Sequence, residues 1–201
     1  RMQAAMPIAA RERFLTWSQP LDDHRQRLSQ IRPRVERLQL GGAAGDRAAL
    51  PHAESLVAEV ALRLGLANPP KAWHAMRDAV VDYAGLLSLI SGTLGKMGQD
   101  ICLMAQQGVD EITLDNAGGS SAMPHKQNPV LAELLVTLAR FNATQVSAMH
   151  QGLVHEQERS GAAWALEWMV LPQMAHATAR SLAASTEICQ AISHVGSKDI
   201  R

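Results

Sequence analysis

Aromatic residues are scarce in this 201-residue chain, with Trp, Phe and Tyr together making up 3% of it. β-Sandwiches and barrels fill their sheets with such side chains, so the shortage argues against both. Cysteine is scarcer still. The two present, Cys102 and Cys189, stand in apolar helical patterns with no second Cys or His at metal-ligand spacing. That excludes a disulfide framework and a thiolate metal site, and both read as buried small hydrophobes in a reducing compartment. A surplus of either charge is missing too, because 19 Lys and Arg balance 19 Asp and Glu. A dedicated nucleic-acid binder needs a basic excess against the phosphates, so no nucleic-acid partner is expected. No apolar run reaches the roughly 18 residues of a membrane span. The opening RMQAAMPIAARER has no long apolar segment of the signal-peptide kind. A soluble, cytoplasmic chain without a membrane partner is the expectation.

What the chain does have is apolar content, 47% against 19% charged residues, enough for a sizeable core. Most of it is Ala and Leu, both strong helix formers. The pattern predicts an all-α fold, a bundle of long helices around one irregular loop. A charged helical stretch runs from Pro7 to Leu38, with Pro20 and Pro33 expected to kink or break it. The glycine-rich segment Gly41–Asp46 follows, then a helix from Pro51 to Leu64 stopped by Gly65. Tyr83, Leu87, Ile90, Leu94, Met97, Ile101 and Met104 alternate spacings of four and three, which sets them on one stripe of a long helix. Val80, Leu86, Leu89 and Ile112 suggest burial on other sides, so this helix belongs inside a bundle. The methionines at these spacings read as core fillers. The stripe and its neighbours carry more apolar face than a five-helix monomer can cover, which marks a subunit interface. After Gln107 periodicity fails through GVDEITLDNAGGSSAMPHKQN, a connection long enough to suggest function. Helical patterning resumes at Pro129, and a last helix is expected from Gly161 to Ile192 with Pro172 inside it.

The segment Gly118–Pro129 concentrates chemistry-bearing residues. Asn128 is a favoured N-cap and Pro129 a favoured first helical residue, so the loop lies against the positive end of a helix, where free N–H groups attract anions. Two glycines allow close backbone approach to a ligand, Ser120 and Ser121 supply hydroxyls, and Lys126 adds a cation. Together they describe a carboxylate or phosphate site. A P-loop is not expected, because its Lys follows Gly and precedes Ser or Thr.

GSSAMPHKQNP resembles the signature G-S-S-x-M-P-x-K-x-N-P of the fumarase/aspartase superfamily. RMQAAMP resembles that family's T-x-x-Q-x-A-x-P segment entered partway, and GGAAG resembles its glycine-rich substrate loop. Within the superfamily, WHAMRD (Trp73–Asp78), LGKMGQDI (Leu94–Ile101), EQER (Glu156–Arg159) and WALEWMVLP (Trp164–Pro172) are similar to the branch that lactonises carboxymuconates. Lyases of the superfamily usually carry a His acid at the position held here by Arg1, so adenylosuccinate and argininosuccinate cleavage are disfavoured. The family's first domain and its small C-terminal helical domain have no counterpart here. Residues 1–201, opening on Arg1 rather than Met, are therefore expected to be the central helical-bundle domain.

The resemblance implies cyclisation of 3-carboxy-cis,cis-muconate, a step of protocatechuate (β-ketoadipate) aromatic degradation. A carboxylate adds to a carbon of the same molecule, and a proton is delivered beside another carboxylate. It implies Ser120 as the proton-transfer residue, with Ser121 as the neighbour that bonds within the loop. Lys126 would stabilise the serine alkoxide and the substrate carboxylate. Gln3, Ser121, Met123, Asn128 and Arg159 complete the expected substrate-binding set. Gln3 could instead be a solvated surface residue, Asn128 the helix cap, and Arg159 half of a helix-end ion pair beside Glu158. His125 is open as a proton shuttle, and His74 reads as a structural contact. The other histidines show no metal pair with a carboxylate, so no metal or organic cofactor is implied. A homotetramer with a twenty-helix core and sites shared between chains is implied, acting on a small polycarboxylate. An adenylosuccinate-type lyase, a sulfomuconate cycloisomerase and a non-catalytic structural member stay open as alternatives.

Overall fold

A computed structural model of the chain describes residues 5–123 and 125–196. Five helices occur among them: α1 (Ala10–Val35), α2 (Ala53–Leu64), α3 (Asp78–Met104), α4 (Val130–Gln151) and α5 (Gly161–Ala191). Two short strands, β1 (Ile112–Leu114) and β2 (Ile192–Val195), pair antiparallel. The architecture is all-α with a small ribbon. Among the described residues no helix is long and apolar enough to cross a membrane.

Several boundaries differ from expectation for identifiable reasons. Pro20 and Pro33 do not break α1, which is continuous over 26 residues. Each proline forfeits one main-chain bond. Yet Trp17, His24 and Ile31, spaced by sevens, are all buried, and packing along that stripe outweighs the lost bonds. α2 begins at Ala53 rather than Pro51, behind His52 in the left-handed region at φ 52°. Gly65 ends it as expected, at φ 65°, with its N–H on Leu62 O and the Leu66 N–H on Ala61 O. Ile112 belongs to no helix. The chain turns at Gly108 (φ 87°) and Asp110 (φ 50°), and Ile112 enters β1 opposite Val195, with its side chain in the core. α5 accordingly stops at Ala191, because Ile192 pairs with Leu114. The ribbon escapes helical-period reasoning because its strands span 3 and 4 residues.

The chain divides into two compact units. One comprises the segment ending at Asp23, Leu89–Asn142 and the segment from Ala177 onward; the other comprises His24–Ser88 and Ala143–His176. In the first unit the core gathers Trp17, Leu94, Met97, Ile101, Leu135 and Ile188. α3 crosses α4 at close range there. A Cβ on Gly95 would stand 2.4 Å from Ala139 Cβ, and one on Gly98 2.4 Å from Ala132 O. Asp100 ties α1 to α3, accepting from Trp17 Nε1 at 2.6 Å while pairing with Lys96 and, at 3.6 Å, with Arg13. Buried Asn142 of α4 donates to Ser91 Oγ of α3 at 3.0 Å and to Thr178 Oγ1 of α5 at 2.9 Å.

In the second unit Val80, Val81, Leu87, Met149, Val170 and Met174 form one cluster, and Leu38, Val57 and Ala61 another. The α3 stripe is thus used within the chain: Leu87 is buried in this unit and Leu94, Met97, Ile101 and Met104 in the first. It is not the free interface that the periodicity suggested. Leu89, expected to be buried, is exposed, as is Cys189, while Cys102 is half-buried. Arg77 at the entrance to α3 and Glu167 of α5 form a buried bidentate ion pair, Nε to Oε2 at 2.8 Å and Nη2 to Oε1 at 2.5 Å.

Candidate active site

The signature loop is a closed ring. Gly118 and Asn128 exchange two main-chain hydrogen bonds, each 2.8 Å, which clamp its ends together. A Cβ on Gly118 would lie 2.8 Å from Val130 Cγ2, so a larger residue at the clamp would have to turn the Val130 side chain aside. Inside the ring the Met123 N–H donates to Ser120 Oγ at 3.2 Å, and the Lys126 N–H donates to Met123 O at 2.9 Å. β1 and the Asp115 N–H, bonded to Ala191 O at 2.8 Å, moor the approach to the ring. Helix α4 leaves it directly. Its first residue is Val130, and Pro129 O accepts the Glu133 N–H, so Pro129 takes the cap position expected of Asn128. Asn128 instead closes the ring through its main chain.

Ser120 is half-buried, whereas Ser121 is exposed. An N–H aimed at Ser120 Oγ favours its alkoxide, as any donor favours the anion it points at. Met123, His125, Lys126 and Asn128 line a cleft of about 920 Å³ bounded also by the end of α3 and β1. Asp110, Asp115 and Glu133 line it as well, so Lys126 shares this cleft with carboxylates. Burial and the Glu133 charge push the Cys102 thiol on the same wall above its ordinary pKa. Ser120 lies outside this lining. The structure joins Ser120 to Met123 through the Met123 N–H.

The other expected site residues fall elsewhere. Gln3 and Arg1 lie outside the described residues, as does Pro124 of the signature. Arg159 belongs to the second unit, on the connection between α4 and α5. It is no partner of Glu158 there: its guanidinium lies 4.8 Å over the Trp164 ring, with Nη2 2.9 Å from His74 Nδ1. His74 is a buried contact, as expected, but the residue it contacts is an expected substrate ligand. The glycine-rich segment belongs to this unit as well. Gly45 at φ 74° receives the Ala72 N–H at 3.0 Å, and a Cβ on Gly41 would stand 2.8 Å from Asp46 O. That bond places the segment against Ala72, two residues before His74.

Sequence reasoning missed two features of this unit, the Arg77–Glu167 pair and the tie between His74 and Arg159. The signal was present in WHAMRD and WALEWMVLP, where Trp73 and Arg77 stand four apart and Arg77 lies 4.7 Å over the Trp73 ring. Nothing in either stretch states that the two meet. Among the described residues no group of His, Cys, Asp and Glu could hold a metal ion.

Comparison with known proteins adds independent findings. A family model described as lyase matches residues 1–148. The chain is 40% identical over 177 residues to a 3-carboxy-cis,cis-muconate cycloisomerase of Pseudomonas aeruginosa, covering 86% of this chain and 39% of that one. To the enzyme of the same name from Acinetobacter baylyi it is 37% identical over 191 residues, 93% of this chain and 42% of the relative. A crystal structure of the 3-carboxy-cis,cis-muconate lactonizing enzyme from Pseudomonas putida superposes with a TM-score of 0.89 at 34% identity, covering 96% of this chain and 43% of that one. The chain therefore spans about two fifths of the length of these relatives.

Proposed function

Since this chain belongs to the fumarase/aspartase superfamily of lyases, we propose that it is the central helical-bundle domain of a cycloisomerase that lactonises 3-carboxy-cis,cis-muconate. The observation that carries the reading is the closed Gly118–Asn128 ring, with the Met123 N–H aimed at Ser120 Oγ and the start of α4 directly behind it. A substrate carboxylate oxygen bonds to a carbon of the conjugated diene, and the displaced π pair moves toward a second carboxylate as an aci-carboxylate. The Ser120 hydroxyl gives its proton to the carbon beside that group and regains one from solvent. The serine alkoxide left between these steps is held by the Met123 N–H and the positive end of α4. Lys126 and Asn128 hold the charge developing on the carboxylate, and Arg159 and Gln3 bind the carboxylates that do not react.

The resemblance to the superfamily supports a site completed by other copies in a homotetramer. The exposed apolar side chains of α5, Trp168, Met169 and Leu182, supply surface for such an assembly. The setting is the cytoplasm. The test is a spectrophotometric assay of the full-length protein with 3-carboxymuconate and adenylosuccinate side by side. Turnover of the muconate alone is expected. Cleavage of adenylosuccinate, or inertness toward both, overturns the reading.

A further inference from the structure

Arg159 has a partner that the reaction just described does not use. Its Nη2 lies 2.9 Å from Nδ1 and 3.4 Å from Nε2 of His74, and its guanidinium rests on the face of Trp164 at 4.8 Å. Trp164 closes the triangle. Its Nε1 donates to the main-chain oxygen of His74 at 3.4 Å, and the two rings stand edge to face at 88° with centroids 5.9 Å apart. The three residues come from the segment before α3, from the α4–α5 connection and from α5, so the arrangement is tertiary. His74 is buried and Arg159 exposed. A guanidinium has five N–H donors in a planar fork. One is committed to the imidazole, one face is committed to the indole, and the rest of the fork is left for an anion.

We infer that His74 is the positioning residue for Arg159, locking the guanidinium against Trp164 so that its remaining N–H groups present a fixed fork to a substrate carboxylate. This rests on the reading of Arg159 as a carboxylate ligand. The alternative, a loose arginine on a connection, would lose side-chain freedom each time substrate bound.

The arrangement carries its own dependence on pH. An imidazole nitrogen accepts a hydrogen bond only while unprotonated. Burial, then the charges of Arg159, Arg77 and Lys71, hold His74 below the usual histidine range. The carboxylate that α5 brings to this unit, Glu167, is engaged by Arg77, and Arg37 lies 5.5 Å over the neighbouring Trp73 ring. The surrounding charge is therefore cationic. As pH falls through the His74 pKa, the acceptor is lost and a second cation faces the guanidinium. Capture of substrate thus weakens on the acid side.

The full-length protein tests this with steady-state kinetics on 3-carboxymuconate. His74→Phe keeps a ring against Trp164 but removes the acceptor. It is expected to raise KM about tenfold with kcat little changed, the size of one hydrogen bond to a charged group. His74→Asn places an untitratable acceptor near the position of Nδ1. It is expected to restore most of the affinity and to flatten the acid limb of kcat/KM. A raised KM in Arg159→Ala beside an unchanged KM in His74→Phe overturns the positioning role alone. No change in Arg159→Ala overturns the carboxylate-ligand reading and this inference with it. A readout free of activity is the histidine NMR titration, in which Arg159→Ala should raise the His74 pKa; an unmoved pKa overturns the coupling. A wild-type protein inert toward 3-carboxymuconate overturns the functional reading, and the titration then decides the His74–Arg159 pair by itself.

Discussion

Removing either partner of the buried Arg77–Glu167 pair should unbalance the second unit more than truncating an exposed charged side chain. Both partners of the Arg77–Glu167 pair are 8% exposed, and two hydrogen bonds of 2.8 and 2.5 Å join them. Their charges are therefore little screened by water. Glu167→Ala leaves a guanidinium buried over Trp73 with no counter-charge, at a cost of about 3–5 kcal/mol. Arg77→Ala strands the carboxylate instead and also gives up the cation–π contact at 4.7 Å, so its cost lies in the same range or above. Arg77→Met combined with Glu167→Leu removes both desolvation penalties together and should fall much nearer the wild type. An internal control is the pair formed by Arg32 of α1 and Glu36 just past its end, equally short at 2.7 Å but with side chains 63% and 44% exposed. Glu36→Ala should cost far less, because water screens a surface pair of this kind. Urea unfolding followed by circular dichroism, at one protein concentration for all variants, measures the cycle. If Glu167→Ala costs no more than Glu36→Ala, water reaches the pair and the burial argument fails.

Ser120→Ala should lower kcat on the order of 10²–10⁴-fold with an unchanged circular dichroism spectrum, because the hydroxyl accepts a single N–H in a loop turn. Near wild-type turnover would transfer the role to Ser121 or His125. Gly98→Ala should destabilise by about 1–3 kcal/mol through the clash with α4, while Gly92→Ala, with nothing within 4 Å, should gain up to about 1 kcal/mol of helix propensity. Equal melting temperatures for the two would refute the close α3–α4 crossing. Exhaustive chelation should leave turnover intact, and a loss restored by Mn²⁺ or Mg²⁺ would reveal a metal requirement. Ser120→Ala and Gln3→Ala proteins, each weak alone, should regain part of the activity when mixed and reassembled. A fully active monomer by light scattering would contradict shared sites.

The candidate site was only partly legible. Ser120, Met123, Lys126 and Asn128 stood out because they lie within a few positions of one another, and the structure gathers that segment into one ring. Arg159 stood out by resemblance, yet its neighbour in sequence, Glu158, suggested the wrong partner. The partner found, His74, is 85 positions away. Proximity along the chain carried no information about it. The Asn128 cap shows the opposite error. A favoured residue type was present, but the main-chain bonds with Gly118 used the position differently.

Local chemistry, readable from the chain alone, determined the helices. Ala and Leu content set the class, the four-and-three spacing from Tyr83 to Met104 set the buried stripe of α3, and Gly65 set the end of α2. Each of these depends on residues within a turn or two of one another, where periodicity and backbone preference act. The tertiary structure alone decided whether Pro20 and Pro33 would interrupt α1, because packing on both sides outweighs one missing bond at each. It alone paired β1 with β2, 78 to 83 positions apart, since strands of 3 and 4 residues have no period to detect. It alone brought Arg77 to Glu167 and His74 to Arg159, because a charge or an imidazole finds its partner through space and the low dielectric of the interior gives that meeting its strength.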